Sequence, residues 1–142
     1  DLYANEDVTI EPGETVIVKT GIAVELPSGY EAQIRPRSGV TAKTKLRVQL
    51  GTIDNGYRGE LGVIVDNIFS EVYAGAEHRI RLIDGTERDL SELVEIGTYK
   101  IRKGDRIAQL VIQRLPETEA VEIDEFSEDS ERGAGGFGST GV

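Results

Sequence analysis

The residues best suited to chemistry lie near the end of the chain, at positions 132–141, where five glycines surround one arginine, one phenylalanine and a Ser-Thr pair. Glycine loses the most conformational freedom when it is ordered, so this segment does not hold a fixed shape by itself. It does carry the groups that could close over a nucleotide: the Phe137 ring for a base, and Arg132 with the hydroxyls of Ser139 and Thr140 for phosphate oxygens. Taken alone, the segment is better explained as a frayed, glycine-rich terminus, and only the rest of the sequence favours a nucleotide site.

A second group of candidates lies in the stretch Arg35-Pro-Arg-Ser-Gly39, which leads into residues 38–43. Those six residues predict a short helix capped by Ser38, and an arginine beside a helix start favours anions. An ordinary capped helix explains the same pattern. Further along, Gln109 lies within the apolar run 107–115, where it is either a satisfied core amide or a side chain that projects into a site.

The third candidate is residues 51–60, which predict a hairpin. Asn55-Gly56 suits the positive φ values of a tight type I′ turn. Asp54 and Tyr57 flank that turn, so an acid and an aromatic ring can reach one ligand. A hairpin needs no function, however, and this motif alone does not assign one.

Short strands separated by turns must position these groups. Turn signals recur along the chain, and the β-rich runs between them predict an all-β, jelly-roll-like fold with one short helix. The predicted strands are 8–10, 15–19, 22–26, 31–35, 46–50, 61–65, 79–83, 99–101 and 107–115. A turn of helix is also expected over 89–93.

Composition excludes several classes of function. The chain has 142 residues and a formal net charge of −10, which argues against a protein that binds nucleic-acid backbones. It has no cysteine and no apolar run long enough for a membrane span, and no signal peptide is visible, so we expect a cytoplasmic protein. Much of the negative charge lies in residues 117–131, which we interpret as an acidic linker between a β-rich domain (1–116) and a flexible arm (132–142).

Taken together, these motifs resemble those of the trimeric dUTP pyrophosphatase (dUTPase) family, in the same order along the chain. Asp1-Leu-Tyr-Ala4 is similar to the end of the first motif, and Arg37-Ser-Gly39 to the second. Residues 51–60, 106–110 and 132–141 are similar to the third, fourth and fifth. The resemblance therefore covers nearly the whole chain.

The resemblance implies a β-clip fold, a homotrimer that exchanges its C-terminal arms, and hydrolysis of dUTP to dUMP and pyrophosphate with Mg²⁺. It implies that Asp54 is the general base and that Asp1 contacts the metal through water. The implied substrate-binding residues are Arg37, Ser38, Gly39, Gly51, Ile53, Tyr57, Gln109, Arg132, Phe137, Gly138, Ser139 and Thr140. If the protein is phage-encoded, the cytoplasm is that of the host.

The sequence departs from compact family members at about residues 68–97 and there resembles the insert of some phage members from Gram-positive hosts. This segment is too apolar for a disordered linker and is expected to fold against the body as a strand with a turn of helix. Its only histidine, His78, is interpreted as a surface residue.

Two alternatives to a dUTPase remain open. One is an interaction protein that binds a regulator, such as a repressor, through the insert. The other is a dCTP deaminase of the same fold, which needs a catalytic carboxylate on the strand after the hairpin, whereas residues 61–65 contain none.

Overall fold

The fold is all-β with one short helix, as the sequence predicts. The computed structural model describes residues 1–70 and 75–126. Its elements are β1 (Leu2–Tyr3), β2 (Val8–Ile10), β3 (Thr15–Lys19), β4 (Tyr30–Pro36), α1 (Ser38–Lys43), β5 (Leu46–Val48), β6 (Gly51–Ile53), β7 (Gly62–Asn67), β8 (Ala76–Leu82), β9 (Glu87–Glu95), β10 (Tyr99–Ile101) and β11 (Arg106–Arg114). None of the helical structure in the described ranges is long and apolar enough to cross a membrane.

The strands form three small sheets, with strand orders β1-β11-β4-β6, β2-β10-β8-β9 and β3-β7-β5. Each sheet turns apolar side chains inward at alternate positions, as the period of two along a strand requires. On β4, for example, Ala32 and Ile34 are buried, while Arg35 is exposed. Burial of these side chains against those of the other sheets is the main stabilising contribution to the fold.

The helix α1 has the predicted bounds but not the predicted cap. Its N-cap residue is Arg37, in extended conformation, and no side chain caps the helix by a hydrogen bond. Ser38 is already inside the first turn, so its side chain is not the cap that the sequence suggested. At the other end, Arg47 Nη1 donates to the carbonyl oxygens of Thr41 and Thr44 at 3.3 and 3.1 Å. Burial of Val40 fixes the helix against the core.

Residues 51–60 do not form the predicted hairpin. The strand β6 pairs with β4, whereas β7 pairs with β3 and β5, so the two flanking strands belong to different sheets. Gly56 is not among the glycines with positive φ, which excludes the type I′ turn. Instead the Asp54 carboxylate accepts the Gly56 N–H at 2.7 Å. A local turn closed by a side chain–backbone hydrogen bond takes the place of the hairpin, because β6 and β7 each pair with strands of different sheets.

The predicted insert contains a β-hairpin, formed by β8 and β9. The strand prediction is confirmed, but residues 89–93 lie in β9 and not in a helix. Tertiary pairing overrides the local preference here: Asp89 lies opposite Arg79, and the Arg79 Nε is 3.8 Å from the Asp89 Oδ1. His78 is exposed, in agreement with its interpretation as a surface residue.

The sequence also predicts a strand over residues 22–26 that the structure does not contain. Gly21 has a φ of 71°, and its left-handed conformation breaks the extended chain directly before this segment. A backbone bond, from Leu61 N to Ile22 O at 2.8 Å, joins the segment to the rest of the protein. The apolar run therefore packs as a loop, with Leu26 buried.

Candidate functional site

A pocket of about 180 Å³ surrounds the end of β6, and we call it the base pocket. Its lining residues are Ile34, Gly51, Thr52, Ile53, Asp54, Tyr57, Glu60, Leu61 and Gly62. The third motif thus contributes both a backbone wall and two reactive side chains to one concave surface. Four residues predicted for the site, namely Gly51, Ile53, Asp54 and Tyr57, lie together here.

The Asp54 carboxylate is exposed within the base pocket. Its Oδ1 accepts the Gly56 N–H, and its backbone oxygen accepts the Tyr57 N–H at 3.3 Å. The hydrogen bond to Gly56 fixes the orientation of the carboxyl group, while Oδ2 makes no recorded protein hydrogen bond within the described residues. This geometry allows Asp54 to orient and deprotonate a water molecule.

The hydroxyl end of the Tyr57 ring is held against the backbone of residues 59 and 60. Its hydroxyl donates to the Glu60 backbone oxygen at 2.9 Å. A Cβ atom at Gly59 would overlap the hydroxyl end of the Tyr57 ring, so glycine at this position leaves room for the ring where it lies. With 44% of its surface exposed, Tyr57 presents one side of a fixed ring to the pocket.

A second cluster brings the first, second and fourth motifs together. Asp1 forms an ion pair with Arg37, and the Asp1 Oδ2 is 3.7 Å from Arg106 Nη1. Gln109 lies opposite Arg35 in the β4–β11 ladder and donates to the Pro36 carbonyl oxygen at 3.1 Å. The strand register therefore places Asp1, Arg37 and Gln109 at the same end of one sheet.

Beside this cluster lies a cleft of about 250 Å³, which we call the arginine cleft; it is lined by Arg37, Gly39, Val40, Lys43, Ile83, Asp84 and Arg106. Ser38 and Gly39 are exposed at the helix start. Hydrogen bonds from the Thr86 hydroxyl and amide lower the pKa of Asp84, because they stabilise its ionised carboxylate. Three cationic side chains and one carboxylate thus face this cleft, an arrangement suited to an anion.

Sequence reasoning missed the contributions of Lys43, Arg106 and Asp84 to this cleft. Arg106 begins the fourth motif and Lys43 ends the helix that contains part of the second, but only the tertiary structure shows that they line one cavity. The predicted residues Arg132, Phe137, Gly138, Ser139 and Thr140 lie outside the described residues.

Strand β7, which follows the base pocket, does not place a carboxylate in that pocket, as a dCTP deaminase of this fold would need. Asp66 is the first acid on β7, and its Oδ1 accepts the Thr15 hydroxyl at 2.7 Å. Hydrogen bonds from Thr15 and Gln49 lower the pKa of Asp66, which makes it a weaker base. It does not line the base pocket.

Comparison with known sequences places this arrangement in context. The model of the dUTPase family matches residues 1–83 and 95–141. The deoxyuridine 5′-triphosphate nucleotidohydrolase of Thermobifida fusca is 47% identical over 99% of this chain, and the chain spans 65% of that protein. The corresponding protein of Gloeothece citriformis is 42% identical over 100% of the chain, which spans 81% of it.

Solved structures of phage proteins are also similar. One is a dUTPase of Staphylococcus bacteriophage 80alpha with dUpNHpp, described among phage dUTPases that control transfer of virulence genes. It is 41% identical to this chain with a TM-score of 0.93, and the match covers 100% of this chain and 85% of that one. A mutant dUTPase of Staphylococcus aureus phage phi11, described with a coordinated structural Mg(II) ion, is 35% identical with a TM-score of 0.85, covering 90% and 84%.

Proposed function

The chain belongs to the dUTPase family of deoxyuridine 5′-triphosphate nucleotidohydrolases, and from this premise we propose that it hydrolyses dUTP to dUMP and pyrophosphate by attack of water on the α-phosphorus. The reaction limits uracil incorporation into DNA and supplies dUMP, and we place it in the cytoplasm. The observation that carries the proposal is the base pocket, where Asp54, a fixed Tyr57 ring and the β6 backbone share one concave surface.

Base selection follows from the β6 backbone, including Gly51 and Ile53. Uracil presents an acceptor at O4 and a donor at N3, and cytosine reverses both. A fixed backbone N–H and C=O pair therefore binds uracil and leaves polar groups unpaired against cytosine, which costs affinity. The Tyr57 ring packs against the sugar and excludes a ribose 2′-hydroxyl.

The Asp54 carboxylate acts as general base. One oxygen is engaged by the Gly56 amide, and the other accepts the proton of the attacking water. A general base of this kind typically accelerates a reaction by about 10²–10⁴-fold. Arg37, Ser38, the Gly39 amide and Gln109 bind the α- and β-phosphates, and Arg132, Ser139 and Thr140 of the arm bind the γ-phosphate. Phe137, followed by the small Gly138, stacks on the uracil.

Asp54 and the phosphate-binding residue Arg37 lie too far apart within one chain to act on the same substrate molecule. The β6 strand runs antiparallel to β4, with Gly51 opposite Ile34 and Ile53 opposite Ala32, so Asp54 lies beside Glu31. Arg37 is six residues further along the chain, which corresponds to about 20 Å along an extended strand. Catalysis requires both groups within a few ångströms of the phosphates. We therefore infer a homotrimer in which each site combines Asp54 of one subunit with Arg37 of another, and an exchanged arm closes it.

Magnesium is the cofactor of this reaction. Its preferred ligands are hard oxygens, and it keeps several waters. The residues present fit such an ion: the Asp1 carboxylate lies beside Arg37 and is 28% exposed, which suits contact with waters on a phosphate-bound ion. Asp1 would hold such an ion through water, and the ion would neutralise phosphate charge.

Pyrophosphate release from dUTP, dCTP, dTTP and UTP tests the proposal directly. We expect hydrolysis of dUTP with Mg²⁺ and at least 100-fold lower kcat/KM for the other three, because each loses a hydrogen bond or overlaps the pocket wall, at about 3 kcal/mol per mismatch. Comparable rates with dCTP, or deamination of dCTP, would contradict the assignment.

A second candidate function, which does not exclude the first, is recognition of a regulatory protein, such as a repressor, through the insert. The observation that favours it is β9, an edge strand whose side chains are mostly exposed on both faces. Leu93 is 61% exposed. An exposed edge strand can pair with a strand of another chain.

The test of this second function uses substitutions on β9, since β8 supplies buried Ile80 and Leu82 to the body. We expect Leu93→Glu to abolish capture of a regulatory protein while kcat and KM for dUTP stay within about twofold, because exposed positions contribute little to stability. Arg88→Ala on the same strand serves as the control, because it makes the net charge more negative by one unit, as Leu93→Glu does. A partner that still binds Leu93→Glu with unchanged affinity would show that β9 is not its docking site.

A further inference from the structure

Lys43 lines the arginine cleft but has no role in the function proposed above. It is the last residue of α1, and it lines the cleft with Arg37 and Arg106. Its side chain is exposed and forms no salt bridge with any acidic group of the described residues, whereas Arg37 is paired with Asp1. The Lys43 ammonium is therefore a positive charge available to a ligand.

The turn between β8 and β9, residues 83–86, packs directly on Lys43. Gly85 has a φ of 86°, and a Cβ atom built there would lie 3.2 Å from the Lys43 Cβ and 3.3 Å from the Lys43 carbonyl oxygen. Such contacts are tighter than those of almost all real Cβ atoms. Only glycine fits here without displacing the end of α1.

The same turn is itself rigidly held. Asp84 Oδ1 accepts the Thr86 amide at 2.9 Å and the Thr86 hydroxyl at 2.6 Å, and Ile83 is buried. The Leu82 amide donates to the Thr86 carbonyl oxygen at 2.8 Å. The other oxygen of the Asp84 carboxylate, Oδ2, lies 4.0 Å from Arg102 Nη2, and Asp84 forms no ion pair with Lys43. Residues 84 and 85 lie in the segment that the family model leaves unmatched, so this support comes from the insert.

We propose that Lys43 is a further substrate-binding residue, which binds the γ-phosphate of dUTP, and that the turn at residues 83–86 is the element that positions it. This inference rests on the proposed function. Lys43 is five residues beyond Ser38 on α1, about 7.5 Å along the helix axis, so its ammonium lies at a distance suited to a different phosphate from those bound at the helix start. The insert thereby contributes to substrate binding, although all five motifs lie outside it.

The test compares Lys43→Met, which keeps the aliphatic stem, with Lys43→Arg and with Lys19→Met, an exposed lysine of β3 that does not line the cleft. We expect Lys43→Met to raise the Kd for dUpNHpp about tenfold and that for dUDP less than twofold, as loss of one charge-assisted hydrogen bond predicts. Lys43→Arg and Lys19→Met should bind dUpNHpp like the original protein. Equal weakening of dUDP and dUpNHpp, or no weakening, would overturn the proposal.

A double-mutant cycle tests the role of the turn. Gly85→Ala should raise the KM for dUTP severalfold with little change in kcat, and it should have no further effect on KM in the Lys43→Met background. A purely structural role would give additive effects, and additivity would refute positioning. If Gly85→Ala does not fold, Thr86→Val, which removes the hydroxyl that holds Asp84 and leaves the charge of the cleft unchanged, takes its place in the cycle. An unaltered protein without activity on dUTP would instead contradict the proposed function.

Discussion

Asp54→Asn is expected to lower kcat for dUTP by about 10²–10⁴-fold while the Kd for dUpNHpp changes less than threefold, because the amide keeps the shape of the carboxylate and lacks its basicity. The amide oxygen of asparagine still accepts the Gly56 N–H, so the turn at residues 54–57 is preserved. Steady-state kinetics and calorimetric titration measure the two quantities separately.

Glu60→Gln is the matched control, since Glu60 is the second carboxylate that lines the base pocket. Its Oε1 accepts the Gly21 amide at 2.7 Å, a contact that glutamine retains. We expect kcat to fall less than fivefold. A larger loss of kcat for Glu60→Gln than for Asp54→Asn would show that Asp54 is not the general base.

Mixing two inactive variants is expected to restore activity. Arg37→Ala removes the proposed phosphate ligand and Asp54→Asn the proposed base, so we expect each variant alone to be nearly inactive. After subunit exchange from an equal mixture, about a quarter of the sites combine an intact Arg37 with an intact Asp54 from another subunit, if each site in the closed ring draws on two chains. We therefore expect about a quarter of the original kcat per site.

Light scattering before and after mixing, together with mass spectrometry of the exchanged trimers, provides the control. A mixture with confirmed exchange that stays inactive would show that Arg37 and Asp54 act within one chain. A monomer in solution would contradict the composite site outright, since the strand register separates the two residues by about 20 Å within a chain.

Local signals in the sequence were sufficient for most of the strands and for the chemistry of the motifs. Strands β2, β3 and β10 and helix α1 have the predicted bounds, because alternating apolar residues and turn residues act over a few positions. Predictions failed where partners distant in sequence decide the outcome. Residues 89–93 became strand through pairing with β8, and residues 51–60 lost their hairpin to pairing with β4.

The sequence by itself determined which side chains are available for the proposed chemistry: the Asp54 carboxylate, the Tyr57 ring, and Arg37 with Gln109. Only the tertiary structure decided where they lie. The ladder of β11 with β4 brings Gln109 and Arg37 to one end of a sheet, while β6 carries Asp54 toward the other. It also placed the turn at Gly85 against Lys43. The physical reason is that motif chemistry is local, whereas strand register and close packing depend on hydrogen bonds and contacts between residues far apart in the chain.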